Sequence, residues 1–209
     1  MKYDLIIWDF NGTLADDVEL GIDCINTVLK RRNMALLDGV DAYREIFCFP
    51  IIDYYEKLGF DFDKEPYDIV ANEWWEEYVR NEHMMKPTPN VERVLSEIKE
   101  RGITQIILSS SEIEMLRREL KMLSLGSYFD TVLGLDNIYA GGKTEMAKKW
   151  AEGKNFNALF IGDTLHDYET AKAIGADCIL YSGGHDGRWK LESAEVPIVD
   201  DLSEILEYL

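Results

Sequence analysis

The sequence predicts an α/β fold: a doubly wound parallel sheet with an α-helical cap inserted into it. Short, continuous apolar runs alternate with helix-period stripes over residues 1–15 and 87–209, the pattern of an open parallel sheet covered on both faces. Residues 16–86 break that rhythm, reading as helix after helix, and so form the cap.

The first apolar run, 4–8, is strand-length and stops at Asp9; runs 103–108, 158–161 and 178–181 follow, each ended by a polar or glycine-containing turn. Residues 129–135, broken by Gly134, are a fifth candidate strand, and 197–199 fit a short edge strand. Between them lie amphipathic helices. Val91, Val94, Leu95 and Ile98 make one stripe, ending near Gly102; Ile113, Leu116, Leu120 and Leu123 make another; Met146, Ala147 and Trp150 make a third. In the inserted segment, Ile22, Ile25, Val28 and Leu29 share one face, as do Tyr43, Ile46 and Phe47, then Trp74, Trp75, Tyr78 and Val79. No strand is expected there before the turn at Pro87-Thr88-Pro89.

A chain of 209 residues accommodates one or two compact domains. A formal net charge of -18 argues against a general role on nucleic acid or anionic membrane, though not against a small anionic ligand held by a local cation. Cys24, Cys48 and Cys178 show no paired spacing, which points to reduced thiols. The start lacks signal-peptide architecture, and no stretch approaches the roughly 20 apolar residues of a membrane span. The expectation is a cytoplasmic protein, monomer or homodimer.

Three polar positions follow apolar runs: Asp9, Ser109 (expected to end its strand) and Asp163. In an open parallel sheet the carboxyl ends of the strands face one crevice, where ligands bind. Asp9, Asp163 and Asp167 offer hard oxygen ligands to Mg²⁺. The turn at Gly12-Thr13 offers backbone N–H groups to phosphoryl oxygens, Ser109 and Ser110 offer hydroxyls, and Lys143, after Gly141-Gly142, offers a point charge. Taken singly, Asp163 and Ser109 read equally well as helix caps.

Together these segments resemble the haloacid dehalogenase-like (HAD) superfamily, phosphoglycolate phosphatase-like and with a C1 cap. Asp9-Phe10-Asn11-Gly12-Thr13 resembles motif I, usually DxDGT; Ile106-Ile107-Leu108-Ser109 resembles motif II; Lys143 matches motif III; and Gly162-Asp163-Thr164-Leu165-His166-Asp167 matches GDxxxD of motif IV. The resemblance implies a HAD-like Rossmannoid core and an Mg²⁺-dependent phosphatase with Asp9 as nucleophile. It also implies that Ser109 contacts phosphate, Lys143 stabilises negative charge, the Asn11 backbone carbonyl and Asp163 bind the metal, and Asp167 supports it.

One position departs from the pattern. The family's second aspartate, an acid–base, is here Asn11, whose amide neither gives nor takes a proton near neutral pH. Loss of a general acid–base costs about 10²–10⁴ in rate. Three readings follow: a phosphatase limited to good leaving groups, one in which His166, His83 or a cap residue substitutes, or a weakened phosphate-ligand-binding protein. A phosphonate hydrolase with a Schiff-base Lys30 or Lys57 is a lesser alternative. Trp74, Trp75, Tyr54, Tyr55 and Tyr78 are either core or lining of the cap, and Arg31, Arg32 and Arg44 either solvated or ligands of a substrate carboxylate.

Overall fold

The computed structural model describes residues 2–139 and 142–209. Among the described residues there are eight strands: β1 (Leu5–Trp8), β2 (Ala15–Asp16), β3 (Lys86–Pro87), β4 (Thr104–Glu112), β5 (Thr131–Leu135), β6 (Ala158–Gly162), β7 (Asp177–Tyr181) and β8 (Ile198–Val199). Six of them form one sheet in the order β5-β4-β1-β6-β7-β8, and every adjacent pair is parallel. The central strand β1 pairs with β4 on one side and β6 on the other, so all four of its residues are buried. Its alternate side chains serve opposite faces. Ile6 and Trp8 pack with Val94, Leu95, Ile98 and Leu116, whereas Leu5 and Ile7 pack with Ala147 and Ala171. The helices behind those contacts are α5 (Val91–Glu100) and α6 (Ile113–Met122) on the first face, and α7 (Lys143–Ala151) and α8 (Leu165–Ile174) on the second.

The inserted segment holds α1 (Val18–Arg31), α2 (Gly39–Ile46), α3 (Ile51–Lys57) and α4 (Tyr67–Asn81) around a core of its own. Ile22, Ile25, Val28 and Leu29 of α1 meet Tyr43, Phe47, Tyr54 and Val70 there. Arg32, just past α1, donates to Glu65 at 2.7 Å and to Glu73 at 2.9 Å, tying the end of α1 to the entry and body of α4. Arg31 pairs with Glu77. Paired with glutamates, Arg31 and Arg32 are not free for a substrate carboxylate, while Arg31 stays exposed, in keeping with the solvated reading.

Two further expectations are corrected. The sequence pattern predicts no strand in the segment before Pro87-Thr88-Pro89, yet β2 and β3 form an antiparallel pair, Ala15↔Pro87 and Asp16↔Lys86, where the chain leaves and rejoins the sheet. Two residues carry no readable alternation, so the pattern was invisible. Ser109 does not end its strand: β4 continues to Glu112 with a register irregularity between Leu108 and Glu112. Nor does Ser109 cap α6; the Glu112 side chain accepts from the Glu114 and Met115 N–H groups instead.

On α6, Glu119 is fully buried and neither carboxyl oxygen has a partner among the described residues. Burial, with Asp17 and Glu82 nearby, pushes its pKa from 4.5 up to about 8. The folded state therefore binds the extra proton, and this contribution to stability is lost as pH rises from the unfolded value towards 8. Urea unfolding at pH 5 and pH 8 should show Glu119→Gln gaining a few kcal/mol on wild type at the higher pH relative to the lower. An unchanged difference between the two pH values contradicts a protonated Glu119.

Candidate active site

The polar groups gather where the sheet order reverses, at the carboxyl end of β1 between β4 and β6. Asp9 directly follows β1, and its N–H still donates to Ile161 O at 2.8 Å, so the ladder with β6 fixes its position. Asp163 directly follows β6 and Asp167 lies in the first turn of α8. Oxygens from Asp9, Asp163 and Asp167 lie within 4.8 Å of one another, and all three residues are buried.

Lys143 opens α7, an unfavourable place for a cation because the helix N-terminus is itself positive. Two carboxylates hold it there: Nζ is 2.5 Å from Asp9 Oδ1 and 2.5 Å from Asp167 Oδ1. Burial works against the ammonium, but Asp167 and Asp9 raise its pKa above the ordinary lysine value. The same burial pushes Asp9 up to about 6, with Asp167 adding to it and Lys143 opposing. It also drives Asp163 well above the carboxylate range. Asp167 resists burial and falls below 3.8, because Lys143 and the Thr164 hydroxyl stabilise its charge. Three converging buried carboxylates against one ammonium make a donor set suited to a hard divalent cation. Removing the ammonium leaves Asp9 and Asp167 buried without it, so Lys143→Met should cost about 3–5 kcal/mol of stability in chelator at pH 7. The loss should shrink on acidification as those carboxylates protonate.

A model of the haloacid dehalogenase-like hydrolase family matches residues 6–181. The chain belongs to that family. Among its relatives, the "Putative pyrophosphatase PpaX" of Caldanaerobacter subterraneus is 26% identical over 84% of this chain and 80% of the relative. The "Phosphoglycolate phosphatase" of Pseudomonas savastanoi is 24% identical over 97% of this chain and 78% of the relative. The fold matches that of a "predicted phosphatase" from Clostridium acetobutylicum with a TM-score of 0.83 at 20% identity, over 99% and 97% of the two chains.

In this HAD-like site, one sequence expectation is overturned. The N–H groups of Gly12 and Thr13 are not free for phosphoryl oxygens: Gly12 N donates to Ala15 O and Asp17 Oδ1, and Thr13 N to Phe10 O. The turn consumes its own donors. Gly12 instead permits a close approach, with φ at +72° and an added Cβ falling 2.3 Å from Asp163 Oδ2. The Thr13 hydroxyl donates to Asp163 Oδ1 at 2.8 Å. Asp163 is not a helix cap; Thr164 caps α8, and Asp167 returns the bond in a capping box. Ser109 Oγ accepts from Ser111 N at 3.1 Å, while buried Ser110 Oγ has no partner among the described residues. Gly141, expected to precede Lys143 in a glycine pair, lies outside the described residues.

Sequence reasoning missed three site residues. Asp17 accepts from Asn11 Nδ2 at 2.7 Å, Gly12 N at 2.8 Å and Tyr78 OH at 2.7 Å. Ser111 Oγ donates to Asn11 Oδ1 at 2.5 Å, so the Asn11 amide is held at both ends. His185 follows β7: its N–H donates to Asp163 Oδ2 at 2.6 Å, and its Nε2 lies 3.5 Å from Asp17 Oδ1. Burial opposes a charged His185, yet Asp17 and Asp163 raise its pKa to about 9. The signal for His185 was Gly183-Gly184, one residue past β7; an added Cβ on Gly184 meets Asp163 Oδ2 at 2.2 Å. His83 is exposed, and Lys57 contacts Cys48 Sγ rather than the site. Arg44 donates to the carbonyls of Gly183 and Gly184, fastening α2 to the loop after β7, which commits it to backbone rather than to a substrate carboxylate.

A cavity of about 160 Å³ opens from Asp9, Ser109, Ser110 and Lys143 towards the inserted helices. Tyr54, Tyr55, Trp74, Trp75 and Tyr78 all line it. Tyr54, Tyr55 and Tyr78 are buried as well, so the alternatives of core and lining are both realised.

Proposed function

We propose that the protein is an Mg²⁺-dependent phosphomonoester hydrolase that works through an aspartyl-phosphate on Asp9. The observation that supports it most is the buried meeting of Asp9, Asp163, Asp167 and Lys143 at the carboxyl ends of parallel strands. Asp9, the Asn11 carbonyl and Asp163 would hold the cation. Asp167 has one oxygen on Lys143 and the other on Thr164 and the Asp163 N–H, which suits orienting the site better than direct ligation. When bound, Mg²⁺ supplies charge neutralisation for the phosphoryl oxygens.

The Asp9 carboxylate forms an O–P bond as the bond to the leaving oxygen breaks. Water then attacks phosphorus, freeing Asp9 and inorganic phosphate. Lys143 offsets negative charge on Asp9 and the transferring group, and the Ser109 and Ser110 hydroxyls donate to its oxygens. Residues 16–86 act as the cap that closes the cavity and selects a small phosphorylated metabolite. A cytoplasmic setting suits its three free thiols. The second reading, a weakened phosphate-ligand-binding protein, draws on the Asn11 amide locked by Asp17, Tyr78 and Ser111.

Incubation with Mg²⁺ and acetyl phosphate, followed by acid quench and mass spectrometry, should reveal a phosphoryl adduct on the peptide containing Asp9. The adduct should accumulate because Asn11 cannot activate water, and EDTA should abolish it. Phosphate release without any adduct, or release indifferent to EDTA, contradicts the mechanism.

A further inference from the structure

The far wall of the cavity is apolar and aromatic: Phe49, Ile51, Tyr54, Trp75, Met115 and Ile138. Its charged groups are already paired or negative. Lys143 is bound by Asp9 and Asp167, and His185 by Asp17 and the Tyr43 hydroxyl at 2.8 Å, while Asp17 and Glu112 also face the space. His166 is stacked on Phe49, with ring centroids 4.7 Å apart. No arginine is among the described residues lining the cavity, since Arg31 and Arg32 pair with glutamates and Arg44 with carbonyls. A carboxylate on the leaving group would be buried there without a free cation, at a cost that a neutral group does not incur.

A second observation points to what does fit. The buried Tyr54 OH, Trp75 Nε1 and His166 Nε2 have no hydrogen-bond partner among the described residues, and all three residues line this cavity. Buried polar atoms of this kind are ordinarily satisfied, so water or a neutral polar substituent of a ligand would pair with them. Asn11 adds an independent constraint, because it has no proton to give the departing oxygen.

Resting on the hydrolase reading of Asp9, we propose that the substrate class is the phosphate monoester of an uncharged, single-ring phenol, rather than of a carboxylate-bearing alcohol such as glycolate. In the transfer step Asp9 gains the O–P bond, and the broken P–O bond leaves its electron pair on the ring oxygen. A phenolate departs without protonation by the protein and takes its proton from water. The ring stacks among Phe49, Tyr54 and Trp75.

The test uses full-length protein in Mg²⁺ and two non-hydrolysable ligands. Benzylphosphonate is the isostere of phenyl phosphate, and 3-phosphonopropionate that of phosphoglycolate. Calorimetry should give benzylphosphonate at least about a tenfold lower Kd. Trp75→Ala should erase that preference, and Ile138→Arg, a substitution in a half-buried loop, should shift it towards 3-phosphonopropionate. Equal or tighter binding of 3-phosphonopropionate by wild type overturns the substrate class. Acetyl phosphate, which needs neither ring nor acid, reads the Asp9 chemistry separately. Its turnover with the wrong ligand ranking sinks only the substrate class, whereas no turnover with the right ranking sinks the hydrolase reading and the substrate assignment built on it.

Discussion

Asp9→Asn should lower phosphate release by at least about a thousandfold on every ester, because it replaces the proposed nucleophilic carboxylate with an amide, a far weaker nucleophile. The substitution is nearly isosteric, and the side chain can still accept from Lys143, so folding should survive. The local charge falls by one, which relieves the crowding of Asp9 against Asp167 and Asp163. Thermal unfolding in chelator should therefore show a variant as stable as wild type or more so, while steady-state phosphate release collapses. Retention of more than about a tenth of wild-type kcat, a barrier difference under about 1.4 kcal/mol, means that another residue is the nucleophile.

The second large effect runs the other way. Replacing Asn11 with aspartate restores the missing acid in name only, because Asp17 Oδ2 sits 2.7 Å from Asn11 Nδ2. Two carboxyl groups at that distance share one proton, and the pair titrates as a unit instead of presenting an independent acid. Asn11→Asp combined with Asp17→Asn reverses the polarity of the contact and leaves one carboxyl group at position 11. The double variant should raise kcat on an alkyl phosphate by up to about 10²–10⁴, the range of general acid–base catalysis. Acetyl phosphate should respond much less in the transfer step, since its leaving group needs no proton. Single-turnover kinetics separate that step from hydrolysis of the adduct. A double variant no faster than wild type on the alkyl ester argues that the proton already comes from elsewhere.

Much of the scaffold was legible in advance. The run at 4–8 is apolar without alternation because β1 is flanked by β4 and β6 and covered by helices on both faces. Val91, Val94, Leu95 and Ile98 repeat at helical spacing because one face of α5 meets the sheet. The meeting of Asp9 with Asp163 followed from topology, since parallel strands deliver their ends to one side. The β2–β3 pair and α3 escaped because they are too short to repeat a period. The continuation of β4 through Ser109-Ser110-Ser111 escaped because three hydroxyl residues read as a turn.

The site divides along the same line. Residue identity by itself determined the doubly wound core, the four polar segments and the absence of an acid at position 11, because hydropathy periods and side-chain chemistry are written position by position. Only the tertiary structure decided that Asp17 and His185 join Asn11 and Asp163, that Gly12 and Thr13 exhaust their own donors, and that the described residues of the cavity wall include no free cation. Such facts depend on which partners occupy each polar atom. Occupancy is settled by distances between segments far apart along the chain, which no local pattern encodes.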